Sequence, residues 1–485
     1  MHNPRQHAIG LKQKLALGCG YFTVFFLGQA IPILAIPHYQ MTLGVNPGLL
    51  GLLMALPLLL ASCFGVWFGH WADKFQSRFG RRRPFMFFAS VFTALSYGLL
   101  WMPPAHWAHG ALLVYFGGLS LVFQLASVIY SISLNSLVYE SSPSSHERTR
   151  LMGFTTYFVK LGSLCYQWLY PLSAVVLIGG VALGVQGVGW LLGLSVFLIM
   201  GLLPVFNLRE AAGFQVSELK ALEFKAAELK APELKSPALN TAETKTSVQS
   251  PTFVCAVKTT LSNRAMVFIL TLTLLQMGGA AYAATMDYYL LVYFVSAGDI
   301  VAGAISKGVL STAYALVSML SVPFILYLVK RRGRLQALLF IYGINALGGC
   351  AKWFLFVPDI GLWIMLDAIL CGTVWSAMVI IIPSMIADLA HNEGLSAQAS
   401  RSGIYASIYG WVLSLSGVCV LMISGFTLSA IGFDAALGGA QAQSTLQLMR
   451  IILALGTVAF SLLAIYLVMR WQARPANYQF ANESA

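Results

Sequence analysis

Long apolar runs alternate with short polar segments along almost the whole chain. Twelve of these runs are long enough to cross the hydrocarbon layer of a bilayer, which takes about 20 residues of α-helix. They lie at residues 15–36, 48–72, 84–102, 110–140, 151–178, 185–207, 265–296, 300–329, 335–357, 359–386, 403–431 and 448–471. The pattern predicts an all-α membrane protein with twelve transmembrane helices.

A polar segment divides the runs into two groups of six. We therefore predict a six-helix half at 1–207, a cytoplasmic linker at 208–264, a second six-helix half at 265–471 and a cytoplasmic tail at 472–485. Within the linker, a five-residue unit recurs that begins as Ser217-Glu218-Leu219-Lys220-Ala221. A period of five does not match the turn of an α-helix, so the unit forms no continuous apolar stripe. This favours a solvated linker, and a membrane-surface or partner-binding role is the alternative.

Lysine and arginine residues occupy every second connection between the predicted helices. They are Arg5, Lys12 and Lys14, the 73–83 segment, Arg148 and Arg150, the linker, Lys330, Arg331, Arg332 and Arg334, Arg401, and Arg470 with Arg474. The other connections carry mainly His and Asp residues, at His38, His106, His109, Asp299, Asp359 and Asp434. Because cationic loops stay in the cytoplasm, we predict a multi-pass plasma-membrane protein with both termini cytoplasmic, in the inner membrane if the source is bacterial.

The composition excludes a soluble globular protein. Of 485 residues, 58% are hydrophobic and only 9% are charged, whereas about a quarter are charged in a soluble domain. The formal net charge of +12 is compatible with binding to nucleic acid. However, the cations lie beside apolar runs, which is the pattern of a membrane protein. We expect contact with the lipid bilayer and none with nucleic acid. The seven cysteines are dispersed without a Cys-x-x-Cys pair, and they predict neither a metal site nor a disulfide framework.

The most specific motif connects the second and third runs. Gly69 and Asp73 stand in a Gly-x-x-x-Asp-Lys pattern, Arg78 follows, and the segment ends as Gly80-Arg81-Arg82-Arg83-Pro84-Phe85. The pattern resembles the connection between helices 2 and 3 of the major facilitator superfamily. Its ending is similar to that of the glycoside-pentoside-hexuronide:cation symporters, which include melibiose-permease-like members, and of the sucrose transporters.

Two further segments carry the same resemblance. Residues 135–140 are similar to the family's end of helix 4, and residues 147–150 to its Glu-Arg-x-x turn before helix 5. Residues 383–388 are similar to its end of helix 10, and residues 401–405 to its start of helix 11. The resemblance implies the major facilitator fold, with two six-helix halves and a cytoplasmic gate of charge pairs. The gate candidates are Gly69, Asp73, Arg78, Gly80, Arg81, Arg82, Arg83, Glu140, Arg148, Asp388 and Arg401. The alternative is that these charges only set the topology.

The chain also departs from the melibiose-permease-like members. Phe25, Ala61, Gly65 and Ser131 stand where those members carry carboxylates, and Ser414 stands where they carry a lysine. Because a bare cation needs several hard oxygen ligands, the sodium and galactoside site of that branch is not expected here.

Ionisable residues inside the predicted spans are costly and are the first candidates for function. Lys160 falls near the middle of the fifth run. Its candidate roles are contact with a solute and pairing with an acid. Asp367 and Asp287 are candidates for proton exchange. Lys307 and Lys352 lie toward span ends, and we expect their side chains to extend to the membrane surface.

Other polar and aromatic residues in the spans could bind a solute by hydrogen bonding and ring stacking. They are Gln29, Gln124, Tyr130, Asn135, Tyr157, Gln167, Trp168, Gln276, Trp375, Tyr405 and Trp411. For any one of them, helix packing is the competing role.

The sequence contains no Gly-x4-Gly-Lys-(Ser/Thr), His-Glu-x-x-His or Gly-x-Ser-x-Gly motif, so we predict neither an enzyme nor a bound cofactor. We predict a monomeric secondary transporter that moves a small polar solute, a sugar or glycoside, by alternating access with H⁺ as the coupling ion. The alternatives are an uncoupled facilitator, a lipid or lysolipid transporter on the same fold, and a sensor-like binding protein derived from a transporter.

Overall fold

The computed structural model describes residues 10–75, 77, 80, 82–104, 107–141, 145–175, 181–208, 262–396 and 402–473. Within these ranges every regular element is helical. The first half contains α1 (Leu11–Ala35, extended by a wider turn at Ile36–Thr42), α2 (Pro47–Lys74), α3 (Arg83–Leu100), α4 (His109–Ser141), α5 (Ser145–Cys165, continued by Tyr166–Trp168 and Leu169–Val175) and α6 (Val181–Leu192, Gly193–Met200 and Gly201–Asn207).

The second half repeats this arrangement. Its helices are α7 (Arg264–Val295), α8 (Ile300–Arg332), α9 (Arg334–Leu355), α10 (Met365–Ser396, preceded by a short turn at Gly361–Ile364), α11 (Ser402–Ala430) and α12 (Gln443–Gln472). Residues 209–261 of the predicted 208–264 linker lie outside the described residues, as does most of the predicted tail.

Eleven of the described helices are long and apolar enough to cross a membrane. The predicted span that does not reach this threshold is the fifth, at 151–178, although the chain is helical as α5 up to Val175. Polar residues reduce its hydropathy, because Thr155, Thr156, Lys160 and Ser163 lie in the middle of the helix. The least apolar helix thus carries the strongest candidate for function.

Side-chain caps fix the starts of several helices. Asn46 accepts hydrogen bonds from the first backbone N–H groups of α2, Asn263 does so for α7, and Asp299 does so for α8. These groups would otherwise have no partner inside the helix. The turn between α8 and α9 is a single residue, Gly333, whose φ of 80° favours glycine.

Contacts between helix ends define two faces of the molecule. The Oγ atom of Ser429, at the end of α11, lies 3.2 Å from the Oδ1 atom of Asn46, at the start of α2. We call this side the distal face. The opposite side, where α1 begins at Leu11 and α12 ends at Gln472, is the terminal face.

The hydrophobic core differs between the halves. The first half has one continuous apolar cluster, whereas the second has one cluster near each face. Between its two clusters lies a polar layer at mid-depth, where Asn345 donates to Ser461 at 2.7 Å and Ser318 meets Ser376 at 2.5 Å. The second half therefore places hydroxyl and amide groups at the centre of the membrane.

The two halves contact each other mainly along two helix pairs. Helix α2 packs along α11, and α5 packs against α8. Close packing of α2 and α11 depends on glycines, because a Cβ atom at Gly51 would lie 2.5 Å from the carbonyl oxygen of Leu421. Gly425 lies similarly close to the carbonyl oxygen of Pro47.

Candidate functional site

Lys160 connects the two halves near the middle of the membrane. Its Nζ atom donates a 3.0 Å hydrogen bond to the Oγ atom of Ser318 on α8. Lys160 lies about 22 Å along α5 from Ser145, and Ser318 lies about 21 Å along α8 from Arg332. The predicted mid-membrane position of Lys160 therefore coincides with a contact between the halves.

Lys160 contacts one of two serines that are hydrogen bonded to each other. Ser318 and Ser376 are hydrogen bonded through their hydroxyl groups, and the Ser376 hydroxyl also donates to the backbone carbonyl of Ser318 at 2.7 Å. Within the described part of the chain, no carboxylate lies within ion-pair distance of the Lys160 ammonium. The half-buried charge thus has a neutral partner and retains N–H groups that can bind a solute.

The remaining polar candidates differ in whether a protein contact engages them. Tyr157 precedes Lys160 by three residues, shares its side of α5 and is 65% exposed. Trp375 is next to Ser376 in the chain and is 54% exposed. Across the described residues, the side chains of Tyr157, Trp375, Gln29 and Gln124 make no hydrogen bond to protein. These four side chains remain free to bind a solute or water.

Two other candidates are engaged in packing. Gln276 is buried, and its Nε2 atom donates to the carbonyl oxygen of Phe460 on α12 at 3.3 Å. Tyr405 is 1% exposed in the apolar cluster near the terminal face, where its hydroxyl accepts a hydrogen bond from Asn263 at 3.5 Å. The structure does not place either residue beside Lys160.

Asp287 forms an ion pair with Lys307 in the distal part of the second half. The Nζ atom of Lys307 on α8 lies 2.5 Å from the Oδ2 atom of Asp287 on α7, and both side chains are mostly buried. The expectation that Lys307 extends to the membrane surface is wrong, because an acid on the neighbouring helix holds its ammonium group inside the bundle.

Asp367 forms a second, more deeply buried ion pair. The Nζ atom of Lys352 on α9 lies 2.7 Å from the Oδ2 atom of Asp367 on α10, and the side chains are 4% and 0% exposed. The hydroxyl of Tyr314 donates to the same oxygen at 2.8 Å. The expectation that Lys352 reaches the surface is therefore wrong. Both lysines are drawn inward because pairing with a carboxylate offsets part of the cost of burying an ammonium group.

The two ion pairs belong to one charged network. Lys307 of the first pair and Tyr314 lie seven residues apart on α8, and the Tyr314 hydroxyl contacts both members of the second pair. Four helices, α7 to α10, contribute to the network, whose formal charges sum to zero. The Oδ1 atom of Asp367 is buried and has no hydrogen-bond partner. A carboxylate oxygen without a partner, inside a neutral network, can accept a proton or a water hydrogen.

The distal ends of the two halves are held together by polar contacts. Besides the contact of Asn46 with Ser429, the hydroxyl of Tyr289 on α7 donates to Gln40 after α1 at 2.9 Å. The indole N–H of Trp168 donates to the hydroxyl of Thr312 on α8 at 2.8 Å. These contacts bridge the two halves at the distal face.

Of the eleven predicted gate residues, the structure fully describes Gly80, Arg82 and Arg83. Arg78, Arg81 and Arg401 lie outside the described residues. For five others the structure describes the helix but not the side chain; they are Gly69, Asp73, Glu140, Arg148 and Asp388. Gly80 has a φ of 105°, which favours glycine, and Arg82 is buried. The Nε atom of Arg83 donates to the carbonyl oxygen of Val205 at 2.5 Å, so it ties α3 to the end of α6.

The positions that lack carboxylates are filled by packing. Ala61 is fully buried, and a Cβ atom at Gly65 would lie 2.8 Å from a methyl group of Val128 on α4. The ring of Phe25 packs against Tyr166. Within the described residues, no three His, Cys, Asp or Glu side chains are grouped so that they could hold a metal ion.

Two six-helix halves that meet across a mid-membrane polar site define a transporter of the major facilitator type. The sequence matches the MFS/sugar transport protein family over residues 16–212 and 231–473, so the chain belongs to that family. It is a membrane transporter and not an enzyme.

The comparisons with individual proteins agree with this assignment. An uncharacterized symporter from Synechocystis sp. is 22% identical over an alignment of 478 residues. The alignment covers 88% of this chain and 87% of that protein. Among solved structures, the nucleoside transporter NupG is 14% identical with a TM-score of 0.60, over 94% of this chain and 98% of its own. A bacterial homologue of the iron transporter ferroportin is 13% identical with a TM-score of 0.61, over 96% and 100%. These structures show the shared fold.

Sequence reasoning did not identify Ser318, Ser376 and Tyr314 as site residues. Ser and Thr are common in membrane helices, where they bond to backbone carbonyls of their own helix, so their presence carries little signal. The one available signal was position, because Ser318 and Lys160 lie at similar depths in two helices that pair in this fold.

Proposed function

We propose that this transporter carries a small, hydroxyl-rich solute of the sugar or glycoside class across the plasma membrane, by alternating access and together with protons. The terminal face is cytoplasmic in this proposal, because the Lys- and Arg-rich connections lie on that side. A single molecule of the chain supplies both halves of the site.

The observation that carries the proposal is the contact of Lys160 with Ser318. It joins the two halves at mid-depth, which is where transporters of this architecture bind solute. A charged lysine whose partner is a neutral hydroxyl is an expensive arrangement inside a membrane. A solute that supplies oxygen acceptors to the ammonium group would offset this cost during each cycle.

Four of the candidate side chains suit the chemistry of a sugar. Sugar hydroxyls need hydrogen-bond partners, and the apolar faces of sugar rings stack on aromatic side chains. Tyr157, Trp375, Gln29 and Gln124 offer both kinds of group without being engaged by protein.

Proton coupling would act through Asp367 or Asp287. Each is held by a lysine, so protonation of the acid would release that lysine and rearrange the contacts of α7 to α10. The unpartnered Oδ1 atom of Asp367 supplies a place for the proton. Symport is also consistent with the name of the Synechocystis relative.

The direct test is uptake by the purified protein in proteoliposomes. Labelled neutral glycosides, uronates and nucleosides are offered singly, with a pH gradient and a sodium gradient imposed separately. We expect uptake of a glycoside or uronate against its gradient, driven by the pH gradient. Uptake restricted to nucleosides, or to lysolipids added as a further arm, would overturn the sugar assignment.

An uncoupled facilitator is the second candidate function. It is favoured by the ion pairs of Asp287 and Asp367, since each acid already has a lysine as its partner. The two functions differ in one measurement. A facilitator equilibrates and exchanges the solute across the membrane. It does not accumulate the solute under a pH gradient.

A further inference from the structure

A groove on the terminal face lies far from Lys160 and is not used by the proposed transport function. It runs between the start of α7 and the end of α12 and has a volume of about 400 Å³. Its walls include Arg264, Val267, Phe268 and Thr271 on α7. On α12 they are Leu467, Arg470 and Trp471.

The spacing of these residues shows that each helix presents one stripe to the groove. On α7 the lining residues follow a spacing of three, four and seven from Arg264, and on α12 a spacing of three and four from Leu467. Residues at these intervals lie on one side of an α-helix. The groove therefore extends about 10 Å from Arg264 into the apolar layer.

Two stacked rings form its apolar floor. The rings of Phe268 and Trp471 lie with their centroids 4.5 Å apart at an interplanar angle of 12°, and both side chains are nearly buried. Along α12 toward the membrane centre, Leu463 and Tyr466 are 43% and 55% exposed. An apolar surface thus continues from the groove along the helix.

Two arginines stand at its mouth. Arg264 is the first residue of α7, and Arg470 is in the last turn of α12, so both lie at the level of lipid headgroups. Both side chains are exposed, and neither makes an ion pair with any residue that the structure describes. Two guanidinium groups at this depth attract a phosphate, which each can bind through two N–H groups.

We propose that this groove binds one anionic phospholipid from the terminal leaflet. The phosphate binds between Arg264 and Arg470, and one acyl chain lies on the stacked rings of Phe268 and Trp471. Basic pockets between transmembrane helices bind anionic headgroups in this way. The charge at the mouth and the apolar depth select a lipid over a free phosphate ion, which would leave the floor uncovered.

The test uses native mass spectrometry of the purified full-length protein with dioleoyl phosphatidylglycerol, dioleoyl phosphatidylcholine or inorganic phosphate. We expect saturable binding of one phosphatidylglycerol, clearly weaker binding of phosphatidylcholine and no competition from phosphate. The double variant Arg264→Gln/Arg470→Gln should weaken phosphatidylglycerol binding roughly twenty-fold. Thr271→Trp fills the groove without removing charge and should weaken it as well, which keeps the test open if the double variant folds poorly.

The matched control is Arg332→Gln, which removes an exposed cation at the end of α8 on the same face and outside the groove. It should bind phosphatidylglycerol as the unmodified protein does. The proposal is overturned if the double variant and Arg332→Gln behave alike, if phosphatidylcholine binds equally well, or if inorganic phosphate displaces the lipid.

Discussion

Lys352 and Asp367 form an ion pair with an N–O distance of 2.7 Å, in which the lysine side chain is 4% exposed and the aspartate is fully buried. Removal of one partner of such a pair leaves an uncompensated buried charge, which costs about 3 to 5 kcal/mol in soluble proteins. Removal of both partners removes both buried charges and leaves only the Tyr314 hydroxyl without its acceptor, which costs less than a lone buried charge.

We therefore expect a strongly non-additive double-mutant cycle for this pair. Lys352→Met and Asp367→Leu should each lower the thermal unfolding midpoint in detergent, and the double variant should recover most of the loss. If the pair also couples protons, the stable double variant should no longer accumulate solute under a pH gradient. Additive effects of the two substitutions on the midpoint would contradict the ion pair.

Lys160→Met should leave the protein folded but reduce uptake at least ten-fold, which corresponds to about 1.4 kcal/mol. Methionine keeps the length of the side chain and removes the charge that faces Ser318. Uptake in proteoliposomes and the monodispersity of the purified protein are the two measurements.

Two controls separate solute binding from packing at this position. Ser318→Ala removes the protein partner but leaves the ammonium, so it should reduce uptake less than Lys160→Met. Lys330→Met removes an exposed charge at the end of α8 and should have no effect. Normal uptake by a well-expressed Lys160→Met variant would show that Lys160 has only a structural role.

Gly51→Ala should open the distal face. The added methyl group would overlap the carbonyl oxygen of Leu421 on α11, and overpacking of this kind costs about 1 to 3 kcal/mol. The equilibrium between closed and open distal faces should then shift by roughly five-fold or more. The measurement is oxidative cross-linking of Asn46→Cys with Ser429→Cys in a cysteine-free background.

Gly417→Ala is the matched control for this experiment, because its nearest neighbour across α2 and α11 is a Leu58 methyl at 3.9 Å. It should cross-link like the parent protein. If Gly51→Ala cross-links as well as the parent protein, the close packing at Gly51 does not control opening of the distal face, and the prediction is wrong.

Transport should not depend on sodium. The helix α2 positions that would ligate the ion are Ala61 and Gly65, which are occupied by packing contacts, and Na⁺ needs several oxygen ligands. Replacement of sodium by choline at fixed pH should leave uptake unchanged. A sodium-stimulated uptake that persists at constant pH would refute this prediction.

Deletion of residues 217–246 should preserve expression and leave uptake within a few-fold of the full chain. The five-residue repeat cannot present a continuous apolar stripe to either half, so it has little to pack against. A variant with a Gly/Ser-rich segment of equal length controls for the distance between the halves. Failure of the deleted protein to insert into membranes would show that the repeat is structural.

The sequence by itself determined the class, the helices and the family. Apolar runs of bilayer length leave few structural alternatives, because a backbone in lipid must satisfy its own hydrogen bonds. The predicted boundaries of α2 and α11 fall within two residues of the observed ones, since Asn46 caps the first of these helices and charged residues flank both spans. Lys160 was identifiable for the same reason, because a charge inside a span is costly wherever the helix packs.

Only the tertiary structure decided which charges meet. Lys307 and Lys352 looked free to reach the membrane surface, and their pairing with Asp287 and Asp367 depends on how α7 to α10 are arranged around each other. The same holds for Ser318 as the partner of Lys160, and for Arg264 with Arg470 at one groove. The cost of burying a charge is a property of one residue, whereas its compensation depends on a neighbour that is distant in the chain.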